Sequence, residues 1–419
     1  METQYKYVLI GGMAAVFAAQ NIRELDKDGN IILIGDEPHP PYDRPPLSKQ
    51  MLAKDDYSPD DAYSKFDDFY PKNQVELRRA VRVTEIDREA RSVVTDDGHK
   101  YTYEKLLLAT GARARKLDVP GVDRTGVFII RTIEDSVSVR QALQASRRVV
   151  IVGSGYLGME VAADAITRGL DVTVIEPKSH PWQKFASEQL GKFIQGYYES
   201  KGAQFVLGAE AAAFEGNGAN GPVHKVRLTD GREIPADMVV VAVGAELNTE
   251  LAQAAGLDVD PKDGVKTDEF LRTSDPNVWA AGDIACFQDL TSGKQRHIEH
   301  HLNAKWQGQA VGKIMAGDTS PYDKVPYFFS DFLELHMILR GDSGGGKQSI
   351  VAGDLAAGEF TELYRNDEGQ LVMGVSISHD EPKLDPISDT LERLIRAKVN
   401  IAGREAEIGA PGFELDSLG

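Results

Sequence analysis

The feature that most constrains the fold is a pattern that occurs twice in the chain. Each copy has an apolar strand, a glycine-rich loop, a helix, a second strand and then an acid. The first copy runs over residues 5–37 and the second over residues 148–176. This order is that of the βαβ unit, which binds a dinucleotide at the N-terminus of its helix. Two copies therefore predict an α/β fold with two Rossmann-like domains.

The second glycine loop has the complete G-x-G-x-x-G spacing, with Gly153, Gly155 and Gly158. In such a loop the three glycines allow a tight turn, a close approach of the backbone to a pyrophosphate, and packing of the helix on the strand. Glu176 ends the next strand, where a carboxylate accepts hydrogen bonds from a ribose 2′-hydroxyl and repels a 2′-phosphate. The loop predicts an NAD site, although Lys178 weakens the preference over NADP. A turn without a ligand is the alternative.

The first glycine loop is one residue shorter than the usual pattern. Aligned on the helix, Gly12 and Ala15 take the second and third glycine positions, and Ile10 takes the first. Aligned on the strand, Gly11 takes the first position and Met13 the second. Ile10 or Met13 is expected to crowd a pyrophosphate at a position of close approach. The surrounding strands and helix still predict a nucleotide site.

Composition excludes several classes of protein. The chain has 419 residues, which at roughly 100–200 residues per domain suggests two to four domains. A net charge of −18 argues against nucleic acid or an anionic membrane as the main partner. The single cysteine, Cys286, excludes an intramolecular disulfide, a CxxC redox pair and a cysteine zinc site. No apolar run reaches the ~20 residues of a membrane span. We expect a soluble protein of the cytoplasm or another intracellular compartment.

Further patterns organise the rest of the chain. Three apolar segments lead into glycine turns, and two of them follow hairpin-like stretches; the segments are 105–111, 237–244 and 277–283, and the hairpins are 93–103 and 225–234. After Pro321 short alternating strands predict an α+β domain that ends in an amphipathic helix over 386–398. The glycine-rich stretch 341–347 is interpreted as a loop tip.

Several short motifs carry a resemblance to a known family. They are Ala109-Thr110-Gly111, Ala242-Val243-Gly244, Ala281-Gly282-Asp283 and Pro41-Tyr42-Asp43-Arg44-Pro45-Pro46-Leu47-Ser48-Lys49. With the two glycine loops, they make the chain resemble the FAD-dependent pyridine nucleotide-disulfide oxidoreductase superfamily over nearly its whole length. Within it, the chain is similar to the branch without redox cysteines, which includes apoptosis-inducing-factor-like proteins, ferredoxin and rubredoxin reductases, and monodehydroascorbate reductases.

The resemblance implies a division into three domains. An FAD-binding domain would comprise residues 1–118 and 247–325, an NAD-binding domain residues 119–246, and a C-terminal α+β domain residues 326–419. Asp36 would hold the FAD ribose, with Glu37 as the second choice. The other cofactor-binding residues that the resemblance implies are Gly11, Gly12, Ala15, Arg44, Lys49, Thr110, Gly111, Arg115, Gly153, Gly155, Gly158, Glu160, Glu176, Gly244, Asp283, Glu299, His300, His301 and Phe329.

For some of these residues the resemblance implies a specific role, and the sequence also allows an alternative explanation. Lys49 and Glu160 would form an ion pair beside the flavin and are the predicted catalytic residues; the alternative for Glu160 is a surface glutamate favoured by the helix dipole. Asp283 would accept a hydrogen bond from a ribityl hydroxyl, or else act as a helix N-cap. Arg115 is the predicted cofactor-binding arginine, although its neighbour Arg113 could be mistaken for it in that role. His300 and His301 have no third ligand at a supporting spacing, so we expect no metal site.

The activity implied by the resemblance is hydride transfer from NADH to flavin N5, followed by electron transfer to an acceptor. The acceptor could be a ferredoxin-type protein, a quinone or a small oxidant, and the charge of −18 disfavours an acidic ferredoxin. The alternative is a redox-sensing flavoprotein, like apoptosis-inducing factor, that forms a stable reduced-flavin–NAD complex with slow turnover. A flavin-poor scaffold and a homodimer are also left open by the sequence.

Replacement of Asp283 tests the FAD assignment. A hydrogen bond to a charged group contributes ~1.5–3 kcal/mol, so Asp283→Ala is expected to weaken FAD binding by about tenfold or more. The measurement is the flavin-to-protein absorbance ratio after dialysis. A folded variant that retains as much flavin as the wild type would contradict the ribityl role of Asp283.

Overall fold

A computed structural model describes residues 2–63, 68–218, 221–342, 344 and 348–419. The chain forms two compact units, and each is built from three stretches of sequence. The first unit contains Met1–Arg44, Ser58–Arg113 and Glu246–Lys324. The second contains Pro45–Tyr57, Ala114–Ala245 and Val325–Gly419. The strands Ala112–Ala114 and Ala245–Leu247 each cross from one unit to the other.

The first unit is built on a mostly parallel sheet. Its strands lie in the order Val75–Arg78, Ile31–Ile34, Glu2–Gly11, Lys100–Ala109, Ser92–Thr95 and Val83–Asp87, and Val278–Ala280 also pairs with Lys100–Ala109. The central strands carry apolar runs that are buried on both faces, as in parallel sheets covered by helices. The last two strands of the order join it antiparallel, which confirms the predicted hairpin around Asp97-Gly98.

Two long helices of the first unit, Met13–Leu25 and His301–Met315, pack closely against each other. Gly308 and Gly312 lie at this contact, where an added Cβ would come within 2.4 Å of the carbonyl oxygens of Ala14 and Ala18. The close approach therefore depends on glycine. The smaller elements of this unit are Pro59–Ala62, Phe69–Lys72, Glu250–Ala254, Val259–Asp260, Gly264–Lys266, Ala285–Asp289 and Lys294–Arg296.

The second unit contains a five-stranded parallel sheet in the order Gln204–Leu207, Asp171–Glu176, Arg148–Val152, Met238–Val241 and Val127–Phe128. Its helices are Ile133–Ala145, Tyr156–Thr167 and Glu188–Ser200. A three-stranded antiparallel sheet, Ala211–Gly216, Val223–Leu228 and Glu233–Pro235, includes the hairpin predicted around Asp230-Gly231. The segment that carries Lys49 forms two short helices, Pro45–Ser48 and Gln50–Ala53.

The end of the chain forms an antiparallel sheet in the second unit, in the order Tyr327–Phe332, Leu335–Gly341, Leu371–Ser378, Glu359–Arg365 and Gln348–Asp354. The helix Leu384–Arg396 packs on it, and Leu391 lies against Gly374. Two short helices follow, Glu405–Ile408 and Leu415–Leu418. Of the predicted loop at 341–347, residues 343 and 345–347 lie outside the described residues.

The α/β prediction is confirmed by these two parallel sheets, each with its own glycine loop and helix. The C-terminal helix begins at Leu384, two residues before its predicted start. Among the described residues, no helix is both long and apolar enough to cross a membrane.

Two glycines within helices, Gly308 and Gly196, give a matched test of the contact between the helices Met13–Leu25 and His301–Met315. Gly308→Ala places a methyl group against the Ala14 carbonyl, and we expect a loss of ~1–3 kcal/mol in unfolding free energy. Gly196→Ala is the control, because an added Cβ meets no atom within 4 Å there and Ala stabilises a helix by ~0.5–1 kcal/mol relative to Gly. Thermal unfolding should therefore move in opposite directions for the two variants. A midpoint for Gly308→Ala at or above that of Gly196→Ala would contradict the close helix contact.

Candidate functional site

The two glycine loops begin in the same way. Gly11 and Gly153 have φ angles of +125° and +102°, a region that L side chains rarely adopt. An added Cβ would lie 1.9 Å from the carbonyl oxygen of Ala109 at Gly11, and 2.4 Å from that of Ala242 at Gly153. Both positions therefore require glycine, and Gly11 is the structural counterpart of Gly153.

The two loops differ in length between this turn and the helix. The first helical hydrogen bonds run from Val16 N to Gly12 O (3.1 Å) and from Met159 N to Gly155 O (3.0 Å). Gly12 is thus the counterpart of Gly155, and the first loop lacks a residue equivalent to Ser154. The strand alignment is right as far as Gly11, and the helix alignment is right from Gly12 onwards.

This alignment corrects the expected crowding of the first loop. Ile10 pairs with Ile34 inside the sheet, and Met13 is the first residue of the helix. An added Cβ at Gly12 or Gly155 would meet no atom within 4 Å, so the bare backbone faces open space at both helix N-termini. Helix N-termini of this kind bind phosphate groups, so both loops fit a dinucleotide.

The third glycine position differs between the loops. An added Cβ at Gly158 would lie 2.1 Å from Gly153 O, so only glycine fits there. Its counterpart, Ala15, is fully buried in the core of the first unit. The shorter first loop therefore accepts a methyl group at this position.

Glu176 is held by the loop that precedes its strand. Ser154 donates to Glu176 Oε2 from its backbone N–H (2.9 Å) and from its hydroxyl (2.7 Å). The N–H of Lys178 donates to Oε1 at 3.0 Å. The carboxylate that was predicted to bind the NAD ribose is therefore fixed beside the glycine loop. Ser154 was not singled out from the sequence.

The acids after the first unit's second strand differ in how they are held. Glu37 accepts hydrogen bonds from Tyr42 Oη (2.5 Å) and Arg44 Nη2 (2.6 Å). Asp36 is more exposed and lies 3.4 Å from Arg82. Burial alone would lower the pKa of Arg44, but the neighbouring Tyr42, Glu37 and Asp283 raise it overall. Of the two predicted ribose acids, Glu37 is therefore the more firmly oriented.

Lys49 and Glu160, the predicted catalytic pair, lie together in the second unit. Lys49 Nζ is 3.3 Å from Glu160 Oε1, and both side chains are almost buried. Ser48 donates its hydroxyl to Glu160 Oε2 at 2.5 Å, and Ser330 donates to Oε1 at 2.6 Å. The glutamate is thus not the surface residue of the alternative interpretation. The two serines were missed, although each directly adjoins a predicted residue, Lys49 or Phe329.

The strand Tyr327–Phe332 connects this pair to the second glycine loop. The ring of Phe328 lies 4.0 Å from that of Tyr156, the first residue of the nucleotide helix, and Phe332 packs edge-on against Trp182 at 5.5 Å. Ser330 lies between them in the sequence and bonds to Glu160. On the other strand face, Phe329 is 37% exposed, and Lys49 Nζ lies 5.4 Å from its ring centre.

The predicted residues around the Gly282 turn and the helix after it lie in the first unit. Gly282 N donates to the buried Gln307 Oε1 at 2.8 Å and so fixes the turn that presents Asp283. His300 occupies the N-cap position of the helix His301–Met315. In the described part of the chain, no group of three or more His, Cys, Asp or Glu side chains could hold a metal ion.

Glu299 and His301 have ionic neighbours in the same unit. The Nε2 atom of His297 lies 3.1 Å from Glu299, and its Nδ1 atom lies 3.0 Å from Asp263. The hydrogen bond to Glu299 is the main cause of a raised pKa for His297, against the effect of burial. His301 Nε2 is 3.6 Å from Asp43.

The remaining predicted residues lie where the chain passes between the units. Thr110 is tied to Asn248 by hydrogen bonds in both directions, and Gly111 O accepts from Asn248 N. Arg113 forms ion pairs with glutamates, whereas Arg115 is exposed and binds the carbonyl groups of Gly244 and Ala245. The sequence did not decide which of these two arginines would bind the cofactor. In the structure Arg113 pairs with carboxylates, whereas Arg115 binds carbonyl groups.

The structure divides the predicted residues between its two units. The first unit holds Gly11, Gly12, Ala15, Asp36, Arg44, Thr110, Gly111, Asp283, Glu299, His300 and His301. The second holds Lys49, Arg115, Gly153, Gly155, Gly158, Glu160, Glu176, Gly244 and Phe329. The residues predicted for FAD therefore come from both units, and those predicted for NAD come from the second.

A buried carboxyl group, Asp164, follows Glu160 by one helical turn. Its Oδ2 atom is buried and has no hydrogen-bond partner among the described residues. The pKa of Asp164 is raised to about 7; burial is the main cause, Arg168 lowers the pKa, and the neighbouring Glu160 raises it. The side chain is therefore protonated at acidic pH and ionises only near neutral pH.

Replacement of Asp164 should stabilise the protein in a pH-dependent way. Because its folded pKa is raised, its contribution to stability is complete below about pH 4 and is lost as the pH rises through about 7. Across this pH range, the ionisation of Asp164 should lower the free energy of unfolding by roughly 4 kcal/mol. The thermal midpoint of Asp164→Asn relative to wild type should therefore rise between pH 5 and pH 8. Asp171→Asn, at an exposed site, is the control; a difference for Asp164→Asn that stays constant with pH would contradict the buried, protonated carboxyl.

Comparison with known proteins connects this geometry to a family. Residues 5–308 match the family model described as pyridine nucleotide-disulphide oxidoreductase. The ferredoxin–NAD(+) reductase component of the anthranilate 1,2-dioxygenase system from Burkholderia cepacia is 34% identical over 373 residues, 89% of this chain and 90% of that protein. Putidaredoxin reductase from Pseudomonas putida is 32% identical over 410 residues, 97% of this chain and 96% of that protein.

A solved structure extends the likeness to the fold. The covalent complex of putidaredoxin reductase with putidaredoxin contains a chain that matches with a TM-score of 0.91 and 30% identity, over 99% of this chain and 98% of that one. Together with the cysteine-free sequence around Lys49, these matches confirm the branch without redox cysteines. The protein belongs to the pyridine nucleotide-disulphide oxidoreductase family, as a flavoprotein enzyme that uses FAD and NAD(H).

Proposed function

We propose that this protein is an NADH-dependent reductase that passes electrons to a ferredoxin-type protein. The balanced reaction is NADH + 2 oxidised acceptor → NAD⁺ + H⁺ + 2 reduced acceptor. Relatives named as ferredoxin–NAD(+), putidaredoxin and rubredoxin reductases, each at least 32% identical, support this acceptor class. The chemistry supplied by bound FAD is acceptance of a hydride and release of single electrons.

The observation that carries the proposal is the absence of a thiol relay. Cys286 is the only cysteine of the chain, and its side chain is buried. Burial, with nearby Asp263 and Asp260, raises the pKa of the Cys286 thiol to about 11. A thiol with this pKa stays protonated and unreactive near neutral pH. Electrons must therefore leave the protein for an external acceptor without passing through a dithiol.

The proposed binding roles follow the geometry of the two glycine loops. Gly11, Gly12 and the helix Met13–Leu25 would hold the FAD pyrophosphate, and Gly153, Gly155 and the helix Tyr156–Thr167 would hold that of NADH. The acids next to these loops would bind the riboses, Glu37 or Asp36 for FAD and Glu176 for NADH. The domain boundaries inferred from the sequence, at 118–119, 246–247 and 325–326, belong to the same proposal.

Lys49 and Glu160 would form a fixed ion pair rather than a proton-transfer pair. Glu160 already accepts from two serine hydroxyls and from the Lys49 ammonium. Charge-assisted hydrogen bonds of this kind fix the position of the carboxylate. The pair would therefore orient the nicotinamide and flavin rings, and hydride transfer itself requires no proton-transferring side chain from this protein.

An acceptor comparison tests the proposed function. The purified enzyme is reduced anaerobically with NADH, and its turnover is measured with a [2Fe–2S] ferredoxin, a rubredoxin, menadione and monodehydroascorbate. We expect kcat/KM for one of the iron–sulphur or iron proteins to exceed that for the small acceptors by about a hundredfold or more, since a specifically docked complex holds the two redox centres in a fixed geometry for electron transfer.

One control variant and two contradicting outcomes make the acceptor comparison decisive. Cys286→Ala should keep the wild-type rate, because the thiol takes no part. Faster turnover with menadione or monodehydroascorbate would contradict the protein-acceptor proposal. A reduced spectrum that persists with every acceptor would instead favour the redox-sensing alternative.

A further inference from the structure

The side chain of Ser154 is placed to act on the nucleotide through Glu176. Ser154 is the residue between the first two glycines of the second loop, and it is 1% exposed. Its N–H and its hydroxyl both donate to Glu176 Oε2, at 2.9 and 2.7 Å. A charge-assisted pair of this kind fixes both the position and the rotation of the carboxylate.

Among the residues that the structure describes, the hydrogen bonds to Glu176 leave one acceptor direction of its carboxylate unused. A carboxylate has about four lone-pair sites, two on each oxygen. Ser154 fills those of Oε2, and the N–H of Lys178 fills one of Oε1. The remaining site on Oε1 suits a single hydroxyl donor such as a ribose 2′-OH. A 2′-phosphate brings only acceptor oxygens and negative charge to the same place, so it is repelled.

The first unit of the same chain serves as an internal comparison. The first unit pairs Ile10 with Ile34, and the second unit pairs Val152 with Ile175 at the matching level. Ile34 and Ile175 therefore occupy equivalent positions in the two second strands. The residues that follow them, Gly35 and Glu176, are equivalent as well. The first unit thus lacks the serine, and its acids, Asp36 and Glu37, lie one and two residues beyond the position equivalent to Glu176. The βαβ fold forms without the pair, so the fold alone does not require Ser154.

We propose that Ser154 is a positioning residue that sets the preference for NADH over NADPH by fixing the Glu176 carboxylate toward the ribose. This inference rests on the proposed use of NADH, and it adds a residue that determines nucleotide choice. Ser154 touches the carboxylate and not the reacting atoms, so its effect belongs to binding and not to the rate of hydride transfer.

The test is anaerobic reduction of the holoenzyme by NADH or NADPH in a stopped-flow instrument, without any electron acceptor. Ser154→Ala removes the hydroxyl donor and keeps the backbone N–H. We expect the apparent Kd for NADH to rise about tenfold or more, as for loss of one hydrogen bond to a charged group. The apparent Kd for NADPH should change less than about twofold, and the limiting rate with NADH should stay the same.

A double-mutant cycle separates this role from a structural one. Glu176→Ala should also raise the Kd for NADH more than that for NADPH, and Ser154→Ala should have no further effect in its presence. Ser187→Ala is the matched control, because Ser187 caps the helix Glu188–Ser200 in the same unit and does not contact Glu176. It should leave the ratio of the two Kd values unchanged.

Three results would overturn the assignment of Ser154. They are an equal change for NADH and NADPH, an effect of Ser154→Ala that persists without Glu176, and a loss of the limiting rate instead of affinity. Because no acceptor is present, none of these results depends on the proposed ferredoxin role. Failure of the acceptor comparison would likewise leave the Ser154 result unaffected.

Discussion

The rest of both units depends on one backbone constraint, the left-handed turn at the end of each first strand. At Gly11 and Gly153 the chain passes so close to a neighbouring carbonyl that no side chain fits. This turn lets the strand lead directly into a helix whose first N–H groups face open space.

A second principle of the structure is that hydroxyl groups hold the carboxylates predicted to lie at the cofactor sites. Tyr42 donates to Glu37, Ser48 and Ser330 donate to Glu160, and Ser154 donates to Glu176. Hydrogen bonds to an ionised carboxylate are short and favourable, and they fix its direction before a ligand arrives. The donors add no charge of their own. Glu37 and Glu160 also pair with the cations Arg44 and Lys49, whereas the hydrogen bonds to Glu176 among the described residues come from uncharged donors.

The sequence predicted the parts of this protein that follow a local pattern. The two βαβ units, the hairpins and the glycine turns were recognisable because strand alternation, helix spacing and glycine position are properties of neighbouring residues. The Lys49–Glu160 contact came from the family resemblance. The strands Tyr327–Phe332 and Leu335–Gly341 were not predicted, although Tyr327–Phe332 supplies Ser330 and Phe328 to the site.

The serines and the exact register of the first loop could not be predicted, for a physical reason. Ser48 and Ser330 act across 112 and 170 residues of sequence, so nothing near either serine indicates a carboxylate partner. The missing loop residue could be assigned to either end until the Cβ geometry at Gly11 and the first helical hydrogen bond at Gly12 were known.

The strand Tyr327–Phe332 has a consequence for how the chain can change during evolution. Phe328 rests on Tyr156, Ser330 binds Glu160, and Phe332 packs on Trp182, so one edge of the C-terminal sheet forms part of the floor beneath the second nucleotide helix. The C-terminal sheet is therefore not an exchangeable module. A chimaera that took this sheet from a relative would need the matching residues at 156, 160 and 182, and natural substitutions at these positions should occur together with those on the strand.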